Sequence, residues 1–200
     1  MDGEKKVGVL ALQGDFAEHI ASLRRLGAEA LAVRLPRDLE SLDGLIIPGG
    51  ESSAIGRLMG SYGFVETLME LSQDGFPIFG TCAGMILLAE GVFDLSGVAT
   101  IGAMGVKVRR NAFGRQVDSY ETCLPVPALG EVPFPAVFIR APTIVDAEPG
   151  VEILASLPDG TPVSAKQGNL LVSAFHPELT SDLRFHAYFL DIVSRVPCSQ

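Results

Sequence analysis

Short runs that are apolar at successive positions, rather than at alternate ones, recur along the first half of this chain: Val7-Gly8-Val9-Leu10-Ala11-Leu12, Gly44-Leu45-Ile46-Ile47 and Pro77-Ile78-Phe79-Gly80. A strand built this way has no solvent face, so it belongs inside a parallel sheet covered on both sides by helices. The intervening stretches supply those helices. Asp15-Phe16-Ala17-Glu18 has the form of a capping box, and Phe16, Ile20, Leu23 and Leu26 keep a helical stripe that Gly27 stops. Residues 30–35 read as a second strand. A helix is predicted over 52–72, with an interruption or close backbone contact near Gly56, Gly60 and Gly63, and an apolar helix over 83–90 follows the 77–80 strand without a spacer.

From residue 101 the rhythm changes to strand-like segments punctuated by proline and glycine, at 105–109, 116–126, 136–139, 151–157, 163–166 and 170–175. These predict an antiparallel extension. A helix over 182–196, with Leu183, Ala187, Leu190 and Val193 along one face, closes the chain. The expected fold class is α/β: a single domain over residues 1–200, an open, mostly parallel, flavodoxin-like sheet with helices on both faces. At 200 residues the chain is long enough to bury about 70% of its unfolded surface. Its 48% apolar content and mean hydropathy of +0.34 exclude a disordered chain.

A formal net charge of −9 repels polyphosphates and anionic lipid surfaces, which argues against nucleic acid and membranes as partners. No apolar run approaches the roughly 18 residues that span a bilayer. Lys5-Lys6 followed by the apolar 7–12 stretch imitates a signal peptide, but that stretch is too short and runs into Gln13 and Asp15. Three cysteines without a Cys-x-x-Cys pair fit a reducing compartment, and the cytoplasm is the expected location.

Gly80-Thr81-Cys82-Ala83-Gly84 sits at a strand-to-helix junction and has the Gly-x-Cys-x-Gly form of a nucleophile elbow, whose glycines permit a cramped turn that lifts one side chain clear. At a helix N-terminus the dipole and unpaired N–H groups favour a thiolate. A cysteine taken alone is most often an inert core residue; the flanking glycines and the helix N-terminus turn the reading of Cys82 towards a nucleophile. A base is needed, and the histidines are His19, His176 and His186. His19 and His186 fall within helices and are expected to be solvated or partner-bonded at the surface. In Phe175-His176-Pro177-Glu178 the imidazole follows a strand, and an extended i, i+2 relation puts Glu178 on its side, where a carboxylate orients the ring. The oxyanion that forms on acyl attack needs two N–H donors. Ala83 offers one and a glycine of Pro48-Gly49-Gly50 the other, since strand ends of an open α/β sheet face one crevice. Ser52 reads as a helix N-cap.

Pro48-Gly49-Gly50-Glu51-Ser52, Gly80-Thr81-Cys82-Ala83-Gly84 and His176-Pro177-Glu178 together resemble the class I glutamine amidotransferases. Leu10-Ala11-Leu12-Gln13-Gly14 with Glu18-His19, the stretch from Arg110 to Gln116, and Phe138-Ile139-Arg140-Ala141-Pro142 narrow the resemblance to the glutaminase subunits of pyridoxal 5′-phosphate synthases. That likeness implies a Cys82-His176-Glu178 triad acting on L-glutamine and an oxyanion hole from Gly50 and Ala83. It also implies a substrate site lined by Gly50, Glu51, Ser52, Arg110, Ile139 and Arg140. Further implications are ammonia delivery to a TIM-barrel synthase subunit and a large assembly with equal subunit numbers. No cofactor or metal is implied, pyridoxal phosphate being the product of the complex. Gln13 and Gly14 are the candidates for relaying partner docking to the oxyanion turn. Ser53 replaces the threonine usual in that family, with a small expected effect. Two rival readings share the elbow: a cysteine hydrolase of γ-glutamyl peptides, and a noncatalytic subunit whose Cys82 senses redox state. Cys123 and Cys198 are expected to be structural or incidental, and residues 127–135 carry no interpretable motif.

Overall fold

The computed structural model describes residues 5–93, 99–110 and 119–196. The first half alternates strands and helices: β1 (Lys6–Leu10), α1 (Phe16–Arg25), β2 (Glu29–Val33), β3 (Gly44–Ile47), α2 (Ser52–Tyr62), α3 (Phe64–Gln73), β4 (Ile78–Thr81) and α4 (Ala83–Leu88). Then come β5 (Ala89–Phe93), β6 (Met104–Arg109), β7 (Ser119–Leu124), β8 (Phe134–Ile139), β9 (Thr143–Ala147), β10 (Glu152–Ser156), β11 (Pro162–Gln167), β12 (Leu170–Ser173) and α5 (Arg184–Arg195).

A seven-stranded sheet runs in the order β10-β11-β12-β4-β3-β1-β2. Pairing is parallel from β12 across to β2, and antiparallel where β11 and β10 extend it. The chain steps from β1 to one side for β2 and to the other for β3, so right-handed crossovers put the first helices on opposite faces. That reversal is a topological switch point, where open α/β sheets hold their ligands beyond the carboxyl ends. Strands β3, β4 and β12 are buried at every residue, as all-apolar strands require. Two smaller sheets follow: β5-β6-β9, in which β5 pairs with β6 in parallel, unlike the antiparallel extension expected from residue 101 on, and β6 with β9 antiparallel, and the antiparallel pair β7-β8.

The 52–72 helix is two helices. Gly63, at φ +80°, ends α2 and begins α3 in the left-handed conformation that glycine adopts without steric cost. Helix α4 stops at Leu88, two residues short of the 83–90 expectation, because Ala89 turns extended and starts β5. Of the predicted 116–126 strand, residues 119–124 form β7, and 116–118 lie outside the described residues. The face of α5 that packs inward is Phe185, His186, Phe189, Ile192 and Val193, one position away from most of the predicted stripe. The aromatic side chains explain the rotation: Phe79 on β4 stacks on Phe185 at 6.2 Å and meets Phe189 at 5.7 Å.

A close approach locks β4, α4 and β3 together. A methyl on Gly84 would overlap the Ile47 carbonyl oxygen, and one on Gly80 would lie 2.5 Å from the Gly84 carbonyl carbon. Backbone rather than a flexible side chain opposes the added group, so Gly84→Ala is expected to cost about 1–3 kcal/mol by overpacking. The check is urea unfolding, with a lower midpoint and an unchanged slope.

Candidate active site

Four adjacent strands deliver the candidate residues to one end of the sheet. Gln13 and Gly14 follow β1, Gly50 and Glu51 follow β3, Cys82 follows β4, and His176 follows β12. Cys82 has φ +47° and ψ −98°, and the described non-glycine residues with positive φ are Cys82 and Arg140. This is the strained turn of a nucleophile elbow. It is held by Cys82 N–H donating to Ser173 O at 2.8 Å, which also fixes the elbow against the strand leading to His176. Cys82 is buried to 7% exposure, so only its edge faces the crevice, and its sulfur lies 3.9 Å from Ile139 O.

His176 and Glu178 come together, although through a 3-10 turn at Pro177–Leu179 rather than an extended strand. The His176 Nδ1 to Glu178 Oε1 distance is 2.7 Å. Glycine at 49 gives the ring its room, since a methyl there would overlap His176 Cε1. Asp15 does not cap α1 as its capping-box spacing predicts: its carboxylate lies 3.6 Å from His176 Nδ1 instead. Nor is Ser52 the cap of α2. That role falls to Glu51, whose carboxylate accepts from Ser53 N at 3.0 Å and Ala54 N at 2.7 Å.

The Gly49-Gly50 turn is tied to the segment after β1. Gly49 O accepts from Asp15 N–H at 3.2 Å, and Gln13 Oε1 accepts from Glu51 N–H at 2.9 Å. Gly50 has φ +149°, and a methyl on Gly14 would overlap Gly49 O, so both glycines are required by the contact. Arg110 reaches Glu51 at 3.5 Å and Ser53 Oγ at 3.5 Å, and Arg140 stands exposed with φ +43° at the end of β8.

These groups surround a crevice of about 410 Å³ lined by Gln13, Asp15, Gly50, Glu51, Ser52, Cys82, Ala83, Ile86, Arg110, Ile139, Arg140 and His176. Every predicted site residue lines it except Gly14 and Glu178, which stand behind Gly49-Gly50 and His176. Asp15 and Ile86 were not among the predicted set. An acidic residue beside a strand end was the available signal for Asp15, whereas nothing local marks Ile86. Residues 111–116 of the stretch from Arg110 to Gln116 lie outside the described residues, as does Cys198. Cys123 is exposed on β7. A larger groove of about 670 Å³, between Leu39, Leu42, Leu71 and Phe76, lies at the amino ends of β3 and β4 and is lined by no cysteine or histidine.

Burial opposes charge on the His176 ring, but Cys82 and Glu178 outweigh it and raise its pKa from 6.5 to about 10. Burial pushes the Glu178 carboxyl up, against the downward pull of His176. Glu51 is held below the ordinary carboxylate range: its slight burial works the other way, and the N–H groups of Ser53 and Ala54, with Arg110, prevail. His19 and His186 are not surface residues as expected: both have 0% exposure. Burial depresses both, with His186 brought to about 4 and His19 lowered further by its histidine neighbours.

A mostly parallel sheet with its crevice at the switch point, and a cysteine elbow facing a histidine, define the class of the class I glutamine amidotransferases. A solved crystal structure of a glutamine amidotransferase is similar to this chain with a TM-score of 0.89 and 48% identity, covering 94% of this chain and 98% of that one. The SNO glutamine amidotransferase family model matches residues 9–195, and the chain belongs to that family. Pyridoxal 5′-phosphate synthase subunit PdxT of Carboxydothermus hydrogenoformans is 54% identical over 190 residues, covering 95% of this chain and 98% of that protein. The PdxT of Dehalococcoides mccartyi is 55% identical over 188 residues, covering 94% and 96%.

The raised His176 pKa makes a stability contribution that is full below pH 6.5 and lost as pH rises through about 10. The neutral His19 and His186 contribute above pH 6.5, and that contribution is lost as pH falls through their lowered values. Imidazole NMR titration is expected to find His176 protonated to about pH 10, with a lower midpoint in Cys82→Ala, and His186 neutral down to about pH 4.

Proposed function

We propose that this chain is a glutaminase that hydrolyses L-glutamine to L-glutamate and ammonia with Cys82, His176 and Glu178, the ammonia passing to a synthase subunit for pyridoxal 5′-phosphate formation. The observation that carries the residue assignment is the 2.7 Å His176–Glu178 contact on the strand end beside the Cys82 elbow. Membership of the SNO glutamine amidotransferase family supports the reaction class.

The Cys82 sulfur attacks the side-chain carboxamide carbon of glutamine, and the carbonyl π pair moves onto oxygen. The N–H groups of Gly50 and Ala83 receive that oxyanion. As it collapses, the C–N bond breaks and the His176 imidazolium gives its proton to the departing nitrogen. The neutral ring then takes a proton from water, whose oxygen attacks the thioester carbon. The carbonyl π pair moves onto oxygen and returns as the C–S bond breaks. The sulfur leaves as a thiolate beside the His176 imidazolium, as at the start, and glutamate departs with its new carboxyl proton lost to water. Glu178 holds the ring in one orientation and stabilises its positive charge.

The crevice wall suits an amino acid that carries both charges. Arg110 and Arg140 are cations for the α-carboxylate, and Glu51 accepts from the α-ammonium, with Ser52 and Ile139 closing the sides. A γ-glutamyl peptide hydrolase would need a further exit for the peptide chain. A redox-sensing role leaves the buried His176–Glu178 pair without use.

The partner in this reading is a TIM-barrel synthase subunit, present in equal number in a large assembly. The chain acts as one domain in the cytoplasm; among the described residues no helix is long and apolar enough to cross a membrane. Gln13 and Gly14, which brace the Gly49-Gly50 turn, relay partner docking to the oxyanion hole.

Glutamate release, measured with and without the synthase subunit, tests the reading. Cys82→Ala and His176→Asn are each expected to reduce it by about 10⁴-fold or more while retaining partner binding, since triad members act as a unit. Gln13→Ala is expected to keep the fold and lose most of the partner-dependent stimulation; full stimulation in that variant removes Gln13 from the relay.

A further inference from the structure

Behind the crevice lies a second group of buried polar side chains that the hydrolysis scheme leaves unused. His19 on α1, His186 on α5 and Thr81 at the end of β4 each have 0% exposure. His19 Nδ1 lies 2.9 Å from His186 Nε2. On the other side of the ring, His19 Nε2 lies 3.1 Å from Thr81 Oγ1 and 3.3 Å from Glu178 Oε2. The Thr81 contact has hydrogen-bond geometry. Among the described residues, the buried side-chain polar atoms without a hydrogen-bond partner are Glu178 Oε2 and His186 Nδ1.

Proton bookkeeping fixes the two tautomers. An orphaned buried N–H is costlier and rarer than an unfilled acceptor, so partnerless His186 Nδ1 is the bare nitrogen. His186 then carries its proton on Nε2 and donates to His19 Nδ1. A neutral His19 must in turn carry its proton on Nε2, aimed between Thr81 and the free carboxylate oxygen. A small rotation of the ring transfers that donor from the hydroxyl to Oε2.

We propose that His19 is a positioning residue for the triad: its Nε2–H supports Glu178 through Oε2 while His176 holds Oε1, and His186 enforces the tautomer that makes this donation possible. The proposal deepens the glutaminase reading and rests on it. A carboxylate bonded at one oxygen alone is both poorly oriented and poorly solvated in a dry site. With a donor at each oxygen it stays ionised behind His176. The same logic governs ligand histidines, where the second partner sets ring orientation and basicity.

The titratable groups facing this array are known from each element around it. Glu178 meets His176, His19 and Asp15, and His176 meets Cys82, Glu178 and Asp15. His19 meets His186, His176 and Glu178. The low pKa values of the buried pair agree with neutral rings throughout the working range.

The test uses the complex with the synthase subunit and compares His19→Leu, which fills the space without a donor, with His19→Gln, which keeps an N–H near the Nε2 position. Leucine is expected to lower kcat about tenfold or more with little change in KM, as loss of a hydrogen bond to a charged group does. It should also narrow the pH profile from both sides. Glu178 then protonates at higher pH and moves the acid limb up, and His176 loses support and moves the basic limb down. His19→Gln should recover a large part of both. A loss of folded fraction alone scales the rate without moving either limb. Limbs unmoved in His19→Leu, or equal behaviour of leucine and glutamine, overturn the proposal. In the wild-type chain, imidazole ¹⁵N spectra should find His19 and His186 both protonated at Nε2, with the His19 Nε2–H resonance displaced by Glu178→Gln. A proton on His19 Nδ1 overturns the proposal even where a variant does not fold. Absence of glutamine hydrolysis in the wild-type complex defeats the function reading instead, and the spectra still decide the hydrogen bond.

Discussion

The site depends on the register of β4 between its two parallel neighbours. Ile78 pairs with Leu45 on one side and Leu170 on the other, Phe79 with Ile46 and Leu171, and Gly80 with Ile47 and Val172. Because pairing is parallel and level, the three strands end together, and the segments leaving them emerge side by side. The elbow, the glycine turn and the histidine therefore meet without a long loop to bring them. A slip of one residue would turn every β4 side chain to the opposite face and take Cys82 with it. Glycine makes the level ending possible, since Gly80 and Gly84 let α4 rise directly off β4 against the Ile47 carbonyl.

Much of this was legible in the sequence because it rests on local signals. All-apolar runs marked the central strands, glycine pairs marked the elbow and the turn, and proline after His176 marked the end of a strand. What the sequence could not disclose depended on which partner a polar group would find. The Asp15-x-x-Glu18 spacing predicts a cap, yet the Asp15 carboxylate faces the His176 imidazole. Ser52 has the chemistry of an N-cap, but Glu51 reaches the same N–H groups with a longer carboxylate. His19 and His186 lie on amphipathic helices, where an isolated histidine reads as surface. Their burial follows from the aromatic layer of Phe79, Phe185 and Phe189, which no local pattern of α1 contains.

Charge around His176 is arranged so that the ring keeps its proton despite burial. An imidazole that holds its proton to about pH 10 is a stable charge partner for sulfur. Two carboxylates at its Nδ1, Glu178 at 2.7 Å and Asp15 at 3.6 Å, maintain that charge in a buried place. The carboxylates themselves need compensation, and they differ in how they receive it. Asp15 is partly solvated at the crevice mouth, with 43% side-chain exposure, whereas Glu178 has none. Solvent can adjust to Asp15; only protein donors can adjust to Glu178.

Helix α1 joins the two halves of the machinery mechanically. Asp15 at its start and His19 one turn later project to the same side, as an i, i+4 pair on a helix does. The first lies beside His176 and the second beside Glu178, while the backbone and side chain just before them brace the Gly49-Gly50 turn. A rigid helix of ten residues cannot tilt at its N-terminus without altering both sets of contacts. Any force applied to the segment after β1 therefore acts on the Gly49-Gly50 turn and on the surroundings of His176 and Glu178 together, and in the proposed glutaminase these are the two features needed at the same moment.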